Sequence, residues 1–184
     1  MRIVAGAYRG RALVAPKGHS TRPTADRARQ ALFNVVEHAA WAPRLSGARA
    51  ADIFAGSGAL GLEALSRNVS SCLFIDNDSA ALAAIGDNIA ALGLADRALV
   101  RRADAASLPA APEPFDLVFL DPPYQKDLVE TCLRGLARGR WLTDRGIAVV
   151  ERGAGEAPPV APDFEVLDNR QWGAARVWFL RLRP

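Results

Sequence analysis

The sequence predicts an α/β fold in which a mostly parallel sheet is covered by helices on both faces. From about residue 48 onward, short apolar segments alternate with segments of helical periodicity. The apolar segments are continuous, which is typical of parallel strands buried on both faces. The last two strand segments, 164–169 and 176–182, are joined at Gly173 with no helix between them. We therefore expect the sheet to end in an antiparallel hairpin.

The elements of this larger part, residues 46–184, can be assigned in order. Strands are predicted at 50–54, 72–75, 99–101, 116–120, 147–151, 164–169 and 176–182. Helices are predicted at 60–67, 79–92 and 128–138. The second of these helices has its leucines and isoleucines on one face, and Gly93 follows it as a typical helix end. The pattern thus predicts seven strands in one sheet.

Residues 1–45 form a separate, basic arm in this interpretation. Residues 2–14 suggest two short strands around a glycine-containing bend, and an amphipathic helix follows before the break at 43–47. Residues 1–30 hold seven basic residues and one acidic residue, a net charge of +6, whereas the whole chain is only +3. Concentrated positive charge is typical of a surface that binds a polyanion such as nucleic acid. A solvated arginine-rich face is the alternative that charge alone leaves open.

Composition excludes several classes of protein. Half of the 184 residues are apolar, which suffices for an ordinary core. No apolar run approaches the roughly 18 residues of a membrane span, and no secretory signal is visible, so we expect a cytoplasmic protein without a membrane segment. Cys72 and Cys132 stand far apart, which argues against a disulfide scaffold, a zinc site or a redox pair. We expect a monomer that holds no metal.

A glycine-rich turn follows the first predicted strand. Residues 52–61, DIFAGSGALG, contain the G-x-G-x-x-G spacing between a strand and a helix. Such glycines let the backbone approach a ligand, and the helix start offers free N–H groups. A turn without a ligand is the alternative. The next strand ends at Asp76, Asn77 and Asp78, where a carboxylate can accept hydrogen bonds from both hydroxyls of a ribose, so the pair of features favours a nucleoside-containing cofactor.

The tetrapeptide Asp121-Pro122-Pro123-Tyr124 closes the fourth strand at the carboxyl edge of the sheet. The prolines restrict the backbone, so a carbonyl oxygen can be aimed beside the carboxylate. Two such acceptors match the two N–H donors of an exocyclic amino group, and Tyr124 offers a ring on which a base can stack. A tight turn that only precedes a helix is the alternative, but its position favours a substrate site.

The glycine turn, the acid after the second strand and D-P-P-Y resemble S-adenosylmethionine-dependent methyltransferases that modify exocyclic amines of nucleic acid bases. More narrowly, the chain resembles the bacterial RsmD family through RIVAG (2–6), YRGR (8–11), RPTADR (22–27), LFN (32–34) and AGSGALGLEALSR (55–67). The resemblance covers nearly the whole chain and weakens in the C-terminal hairpin. It implies a Rossmann-like class I methyltransferase fold and methylation of the N2 amine of one guanine in 16S ribosomal RNA.

The resemblance also implies roles for individual residues. Asp121 and the carbonyl of Pro122 would orient the guanine amine, on which Tyr124 would stack, and Asp121 would take the proton. The cofactor S-adenosyl-L-methionine would be held by Asp52, Phe54, Ala55, Gly56, Gly58, Asp76, Asn77, Asp104 and Ala105. Ribosomal RNA would be contacted by Arg2, Arg9, Arg11, Arg22 and Arg27. The sequence leaves open whether the substrate is naked RNA or an assembling small subunit.

Three other functions can be compared with this one from the sequence. A DNA adenine-N6 methyltransferase would use the same D-P-P-Y chemistry, but no separate target-recognition region is visible. A non-catalytic RNA-binding module would explain the basic arm but not a cofactor cleft. A nicotinamide dehydrogenase would explain the glycines and Asp76 but gives D-P-P-Y no role. Titration with S-adenosylmethionine against NAD separates these classes.

Overall fold

The computed structural model describes residues 1–16, 23–123 and 127–184, and within them seven strands form one sheet of order β3-β2-β1-β4-β5-β7-β6. Neighbours from β3 to β5 are parallel, while β7 pairs antiparallel with both β5 and β6. The strands are β1 (Arg49–Ile53), β2 (Ser71–Asp76), β3 (Ala98–Arg102), β4 (Phe115–Leu120), β5 (Leu142–Gly153), β6 (Phe164–Trp172) and β7 (Ala175–Leu182). The predicted parallel sheet with an antiparallel C-terminal hairpin is confirmed.

Helices cover both faces of this sheet. They are α1 (Pro23–His38), α2 (Ala59–Ser66), α3 (Ser79–Leu92) and α4 (Leu128–Arg138). Apolar side chains of α1, α2 and α3 pack in one buried cluster against alternate strand residues such as Phe74 and Phe119. The side chains of α4 pack in a second cluster with the opposite alternation, including Ile75 and Leu120. Each strand therefore buries both of its faces, as its continuous apolar sequence predicts.

Predicted and observed bounds agree for α3 and α4 and differ most at β5. The apolar pattern places the start of this strand at residue 147, but it begins at Leu142, which pairs with Phe115 of β4. Residues 143–146 are polar or glycine and interrupt the apolar run, and the register shifts between Phe115 and Leu117. The pairing of β5 with β4 is irregular in this stretch, and its polar residues show no apolar periodicity. The sequence pattern therefore could not indicate that the strand begins here.

The N-terminal residues form a short hairpin that lies against α2. A single bridge joins Arg2 to Ala12, so the predicted pair of strands is shorter than expected. The buried carboxylate of Glu63 accepts hydrogen bonds from the backbone N–H groups of Val4 at 2.8 Å and Ala5 at 3.0 Å. Gly6 has φ +80° and approaches Ser66 so closely that a Cβ atom would lie 1.9 Å from the Ser66 carbonyl oxygen. The hairpin is therefore fixed to the helix that follows the glycine turn.

Buried charges connect α1 to the same helix. Arg67 lies 2.8 Å from Glu63, and Arg29 lies 3.6 Å from it, all three side chains being almost fully buried. Arg29 also donates to the carbonyl oxygen of Arg2 and to the Asp26 carboxylate. Ile3, Leu13 and the apolar face of α1 belong to the same hydrophobic cluster as the sheet. The division of the chain near residue 45 stays a prediction.

In the described ranges, no helix has both the length and the apolar character needed to cross a membrane.

Candidate cofactor and base-binding cleft

A cavity of about 1000 Å³ opens at the carboxyl ends of the parallel strands. Open α/β sheets bind their ligands at this edge. Its walls come from the segments after β1, β2, β3 and β4, from Glu151 within β5, from the β6–β7 hairpin, from the N-terminal residues and from residues of all four helices. Of the residues that the resemblance assigns to cofactor or base, the lining includes Asp52, Phe54, Ala55, Gly56, Asp76, Asn77, Asp104, Asp121 and Pro122.

The glycine turn has the backbone conformations that its sequence requires. Gly56 and Gly58 have φ values of +56° and +77°, where side chains are strained. Gly58 is buried, directly precedes α2 as its N-cap, and is absent from the cavity lining. At Gly61, a Cβ atom would lie 2.4 Å from the Phe74 ring, so this third glycine permits close packing of α2 on β2. Only the first of the three glycines therefore borders the cavity.

The first turn of α2 suits a negatively charged ligand group. The N-cap residue, Gly58, has no side chain that could accept a hydrogen bond from the first N–H groups of the helix. Ala59 and Leu60 line the cavity. Backbone N–H groups in a first helical turn have no partner within the helix. Such groups bind carboxylate and phosphate oxygens, and S-adenosylmethionine carries one carboxylate on its methionine part.

The carboxylate of Asp76 lies beside this turn. One oxygen accepts a hydrogen bond from the backbone N–H of Gly56 at 2.9 Å, and the other accepts one from Asp78 at 2.9 Å. Each carboxylate oxygen has a second lone pair, so each can still accept a hydrogen bond from a ribose hydroxyl. Asn77 is exposed at the same rim of the cavity. The donors and acceptors present therefore fit a nucleoside attached to an amino acid.

Asp52 lies beneath the turn, on the last part of β1. It is almost fully buried and accepts a hydrogen bond from the backbone N–H of Gly61 at 2.8 Å. Burial raises the pKa of this carboxyl to about 8, with smaller contributions from the nearby charges of Asp121 and Asp76, despite the lowering effect of the Gly61 hydrogen bond. A cation in the cavity would favour the ionised form, and S-adenosylmethionine carries its positive charge on sulfur.

Asp104 and Ala105 follow β3 at the far side of the cavity. The Asp104 carboxylate caps a short 3₁₀ helix, Ala105–Ser107, by accepting from the backbone N–H of Ala106 at 2.9 Å. Asp104 is exposed at the cavity, whereas Ala105 is buried behind it and the lining includes Ala106 in its place. The Asp104 carboxylate is thus fixed at a place where an amine in the cavity could donate a hydrogen bond to it.

Asn88 lies behind the cavity lining and supports the glycine turn, a role that the sequence did not reveal. This buried residue of α3 donates to the carbonyl oxygens of Ser57 and Val14, each at 2.9 Å, and accepts from the Val14 N–H at 2.7 Å. It therefore holds the glycine turn and the end of the N-terminal hairpin together. A polar residue on the apolar face of a predicted helix is the signal that could have identified it.

Asp121 lies directly after β4, beside Pro122 and Pro123, and all three line the cavity. The residue is partly open to the cavity, but burial of its carboxylate raises the pKa to about 6. The charge of Asp121 raises the pKa of both Asp52 and Glu151, so it lies within electrostatic reach of each. Tyr124 lies outside the described residues.

Glu151, on β5, is a second site residue that the sequence analysis missed. It lines the cavity, and burial together with the neighbouring charge of Asp121 raises its pKa to about 8. Val150 pairs with Leu120, so Glu151 and Asp121 occupy matching positions, each one residue beyond this pair. The signal was present in the sequence as an acidic residue at the end of a predicted apolar strand.

The basic residues assigned to RNA lie on the surface where the structure describes them. Arg2, Arg9, Arg11 and Arg27 are exposed. Arg2 lies 3.6 Å from Asp26, and Arg11 donates to the carbonyl oxygen of Ala91. Arg22 lies outside the described residues.

The part of the chain that the structure describes contains no group of three or more His, Cys, Asp or Glu residues placed to hold a metal ion. Cys72 and Cys132 are free cysteines, and both are buried.

The strand order, with antiparallel β7 between β5 and β6, and the cleft at the ends of β1, β2 and β4 are those of class I methyltransferases that use S-adenosylmethionine. The rRNA methyltransferase aviRa of Streptomyces viridochromogenes has this fold with a TM-score of 0.69 at 20% identity, over 92% of this chain and 88% of that one. The solved structure of yhhF from Escherichia coli superposes with a TM-score of 0.84 at 34% identity, over 100% and 98% of the two chains. The fold implied by the resemblance is confirmed.

A family model described as conserved hypothetical protein 95 matches residues 1–181. Ribosomal RNA small subunit methyltransferase D of Escherichia coli strain K12 is 36% identical over 162 residues, which cover 88% of this chain and 79% of that protein. The chain therefore belongs to this family, and its resemblance to the RsmD methyltransferases is confirmed.

Proposed function

We propose that the protein transfers a methyl group from S-adenosylmethionine to the exocyclic N2 amine of a guanine in small-subunit (16S) ribosomal RNA. The observation that carries the proposal is the placement of Asp121 and Pro122 in the same cavity as Gly56 and Asp76. A base positioned by the first pair would meet a donor held by the second pair. The name of the Escherichia coli relative, a small-subunit rRNA methyltransferase, supports this choice of substrate.

Asp121 and the carbonyl of Pro122 act as the acceptors for the amine. An exocyclic amine has two N–H donors, and two fixed acceptors hold both of them. In this orientation the nitrogen lone pair turns out of conjugation with the purine ring and becomes available as a nucleophile. Pro122 and Pro123 restrict the backbone so that the carbonyl direction is set before the base arrives.

Positioning accounts for most of the proposed rate enhancement. S-adenosylmethionine supplies a methyl group that is already activated by the positive sulfur. The protein must hold the amine nitrogen in line with that group, and such alignment can contribute on the order of 7 to 11 kcal/mol. Asp121 is ionised above its pKa of about 6, so at neutral pH it accepts the hydrogen bond and can take the proton that the methylated nitrogen releases.

The N-terminal arm is the proposed contact for the RNA backbone. Arg9 and Arg27 are exposed, and the described residues provide no ion-pair partner for either. Their charges are therefore available to phosphates. The hairpin is attached to α2 by Glu63 and Ser66, so an RNA bound to the arm is held at a fixed place relative to the cleft.

The experiment is nucleoside analysis of methylated RNA. The purified protein would be incubated with isotopically labelled S-adenosylmethionine and with 16S rRNA, either free or in small subunits, from cells that lack the protein. Digestion and mass spectrometry should yield labelled N2-methylguanosine. DNA is supplied as a parallel substrate. Labelled N6-methyl-2′-deoxyadenosine from it would favour the adenine alternative, and absence of any labelled nucleoside would contradict both.

A further inference from the structure

Glu151 lies on the side of the cleft that the cofactor residues do not occupy. In the sheet order, the glycine turn after β1 and Asp76 after β2 lie to one side of β4. β5, β7 and β6 lie to the other side, and they contribute Glu151, Val177, Ala175 and Trp172 to the cavity wall. Asp121, at the end of β4, separates the two halves. A base whose amine reaches Asp121 therefore places its ring beside the wall that contains Glu151.

The rest of this wall is apolar or aromatic. Among the described lining residues contributed by β5, β6 and β7, Glu151 is the only one with a charged side chain. The register places it next to Val177 of β7, two pairs away from the pairing of Gly153 with Ala175. A polar ring edge that meets this wall thus finds one side-chain carboxylate to contact.

The Glu151 carboxylate has unused acceptor capacity. No hydrogen bond or ion pair within the described ranges involves it, although the side chain is half-buried. The adjacent cation, Arg152, is engaged by Glu130 at 3.0 Å and by Glu156 at 3.4 Å. Burial, together with the nearby charge of Asp121, raises the pKa of Glu151 to about 8. An N–H donor in the cleft would relieve this unfavourable environment by stabilising the ionised form.

The edge of guanine beside its exocyclic amine carries such a donor at N1. Adenine and 2-aminopurine have an unprotonated N1 with a lone pair at the corresponding place, which a carboxylate repels. On the basis of the proposed function, we propose that Glu151 selects guanine by accepting a hydrogen bond from its N1–H while Asp121 holds the neighbouring amine. Glu151 is then a specificity-determining residue that contacts the base.

The test compares two RNAs that differ only at the target purine. One ligated 16S rRNA fragment carries guanine there, and the other carries 2-aminopurine, which keeps the exocyclic amine and lacks the N1–H. Single-turnover methylation rates are measured at about pH 8.5, above the value of about 8 at which Glu151 ionises. The wild-type protein should methylate the guanine RNA at least about tenfold faster, because the other base leaves a buried acceptor unpaired.

Glu151→Gln should reduce this preference by about tenfold or more, since its amide N–H can donate to the unprotonated N1. A merely structural role would slow both reactions equally and leave their ratio unchanged. Glu113→Gln is the matched control, because Glu113 is exposed, pairs with Arg49 and lies outside the cavity lining, and it should keep the wild-type ratio.

Each outcome decides between the two proposals. If the wild-type protein methylates neither RNA, whether free or assembled into small subunits, the proposed function fails. If it methylates guanine at N2 and methylates 2-aminopurine at a rate within about threefold, the proposed selection by Glu151 is overturned by the wild-type protein alone. The proposal is also overturned if a folded Glu151→Gln variant keeps the wild-type ratio of the two rates.

Discussion

The Asp76 carboxylate accepts a hydrogen bond from the backbone N–H of Gly56, with 2.9 Å between oxygen and nitrogen. The acid at the end of β2 therefore fixes the glycine turn after β1 in addition to its proposed contact with the ribose. The two motifs that the sequence presents twenty residues apart form one unit of the cleft. Loss of this carboxylate should affect both the turn and the nucleoside.

Asp76→Ala is expected to weaken S-adenosylmethionine binding about tenfold to hundredfold. A hydrogen bond to a charged group contributes about 1.5 to 3 kcal/mol, and the turn loses its anchor at the same time. Isothermal titration calorimetry measures the change, with Asp87→Ala on the exposed face of α3 as the control. An affinity within twofold of wild type would show that Asp76 does not hold the cofactor.

Glu63→Ala should destabilise the protein by about 3 to 5 kcal/mol, because it leaves Arg29 and Arg67 buried without their shared carboxylate. The backbone N–H groups of Val4 and Ala5 also lose their acceptor. Urea unfolding gives the difference in the free energy of unfolding. Glu113→Ala removes one exposed ion pair with Arg49 and should cost no more than about 1 kcal/mol. Equal effects of the two substitutions would contradict the role of Glu63.

Stability should fall as the pH rises toward 8, in part because of Asp52. Its pKa is about 8 in the folded protein, against an ordinary value of 3.8, so between these values the folded chain binds a proton that the unfolded chain does not. Asp52→Asn cannot ionise, and its amide oxygen can still accept from Gly61. Urea unfolding at several pH values should show a shallower decline in this variant. A decline as steep as that of the wild-type protein would exclude Asp52 as a cause.

Replacement of Arg9 and Arg11 by glutamine should weaken RNA binding and reduce its dependence on salt. Two lost phosphate contacts lower the slope of log K against log salt by about 1.4 to 1.8. Binding isotherms at two sodium chloride concentrations measure this slope, and cofactor affinity should not change. The matched control replaces Arg138 and Arg145, which are exposed at the end of the sheet opposite the cleft. Identical slopes for both double variants would show that the N-terminal arm does not contact the RNA backbone.

Much of the fold could be predicted from the sequence because its signals are local. Continuous apolar strands, the glycine at the end of α3 and the turn at Gly173 each encode their structure within a few residues. The cleft was only partly predictable. Asp76 and Asp121 stand in recognisable sequence motifs. Asn88, Glu63 and Glu151 act through contacts between distant parts of the chain. Their polar character marks them as unusual in buried segments, but only the fold shows what they contact.

The central claim concerns Asp121, and the single-turnover rate of N2-methylguanosine formation tests it most directly. Asp121→Ala should lower this rate about tenfold to hundredfold and leave S-adenosylmethionine affinity within a few-fold, since it removes a charge-assisted contact to the base alone. In the wild-type protein the rate should also fall as the pH drops through about 6, where Asp121 becomes protonated. A variant that keeps the wild-type rate, or a wild-type rate that does not change between pH 5 and pH 7, would contradict the account.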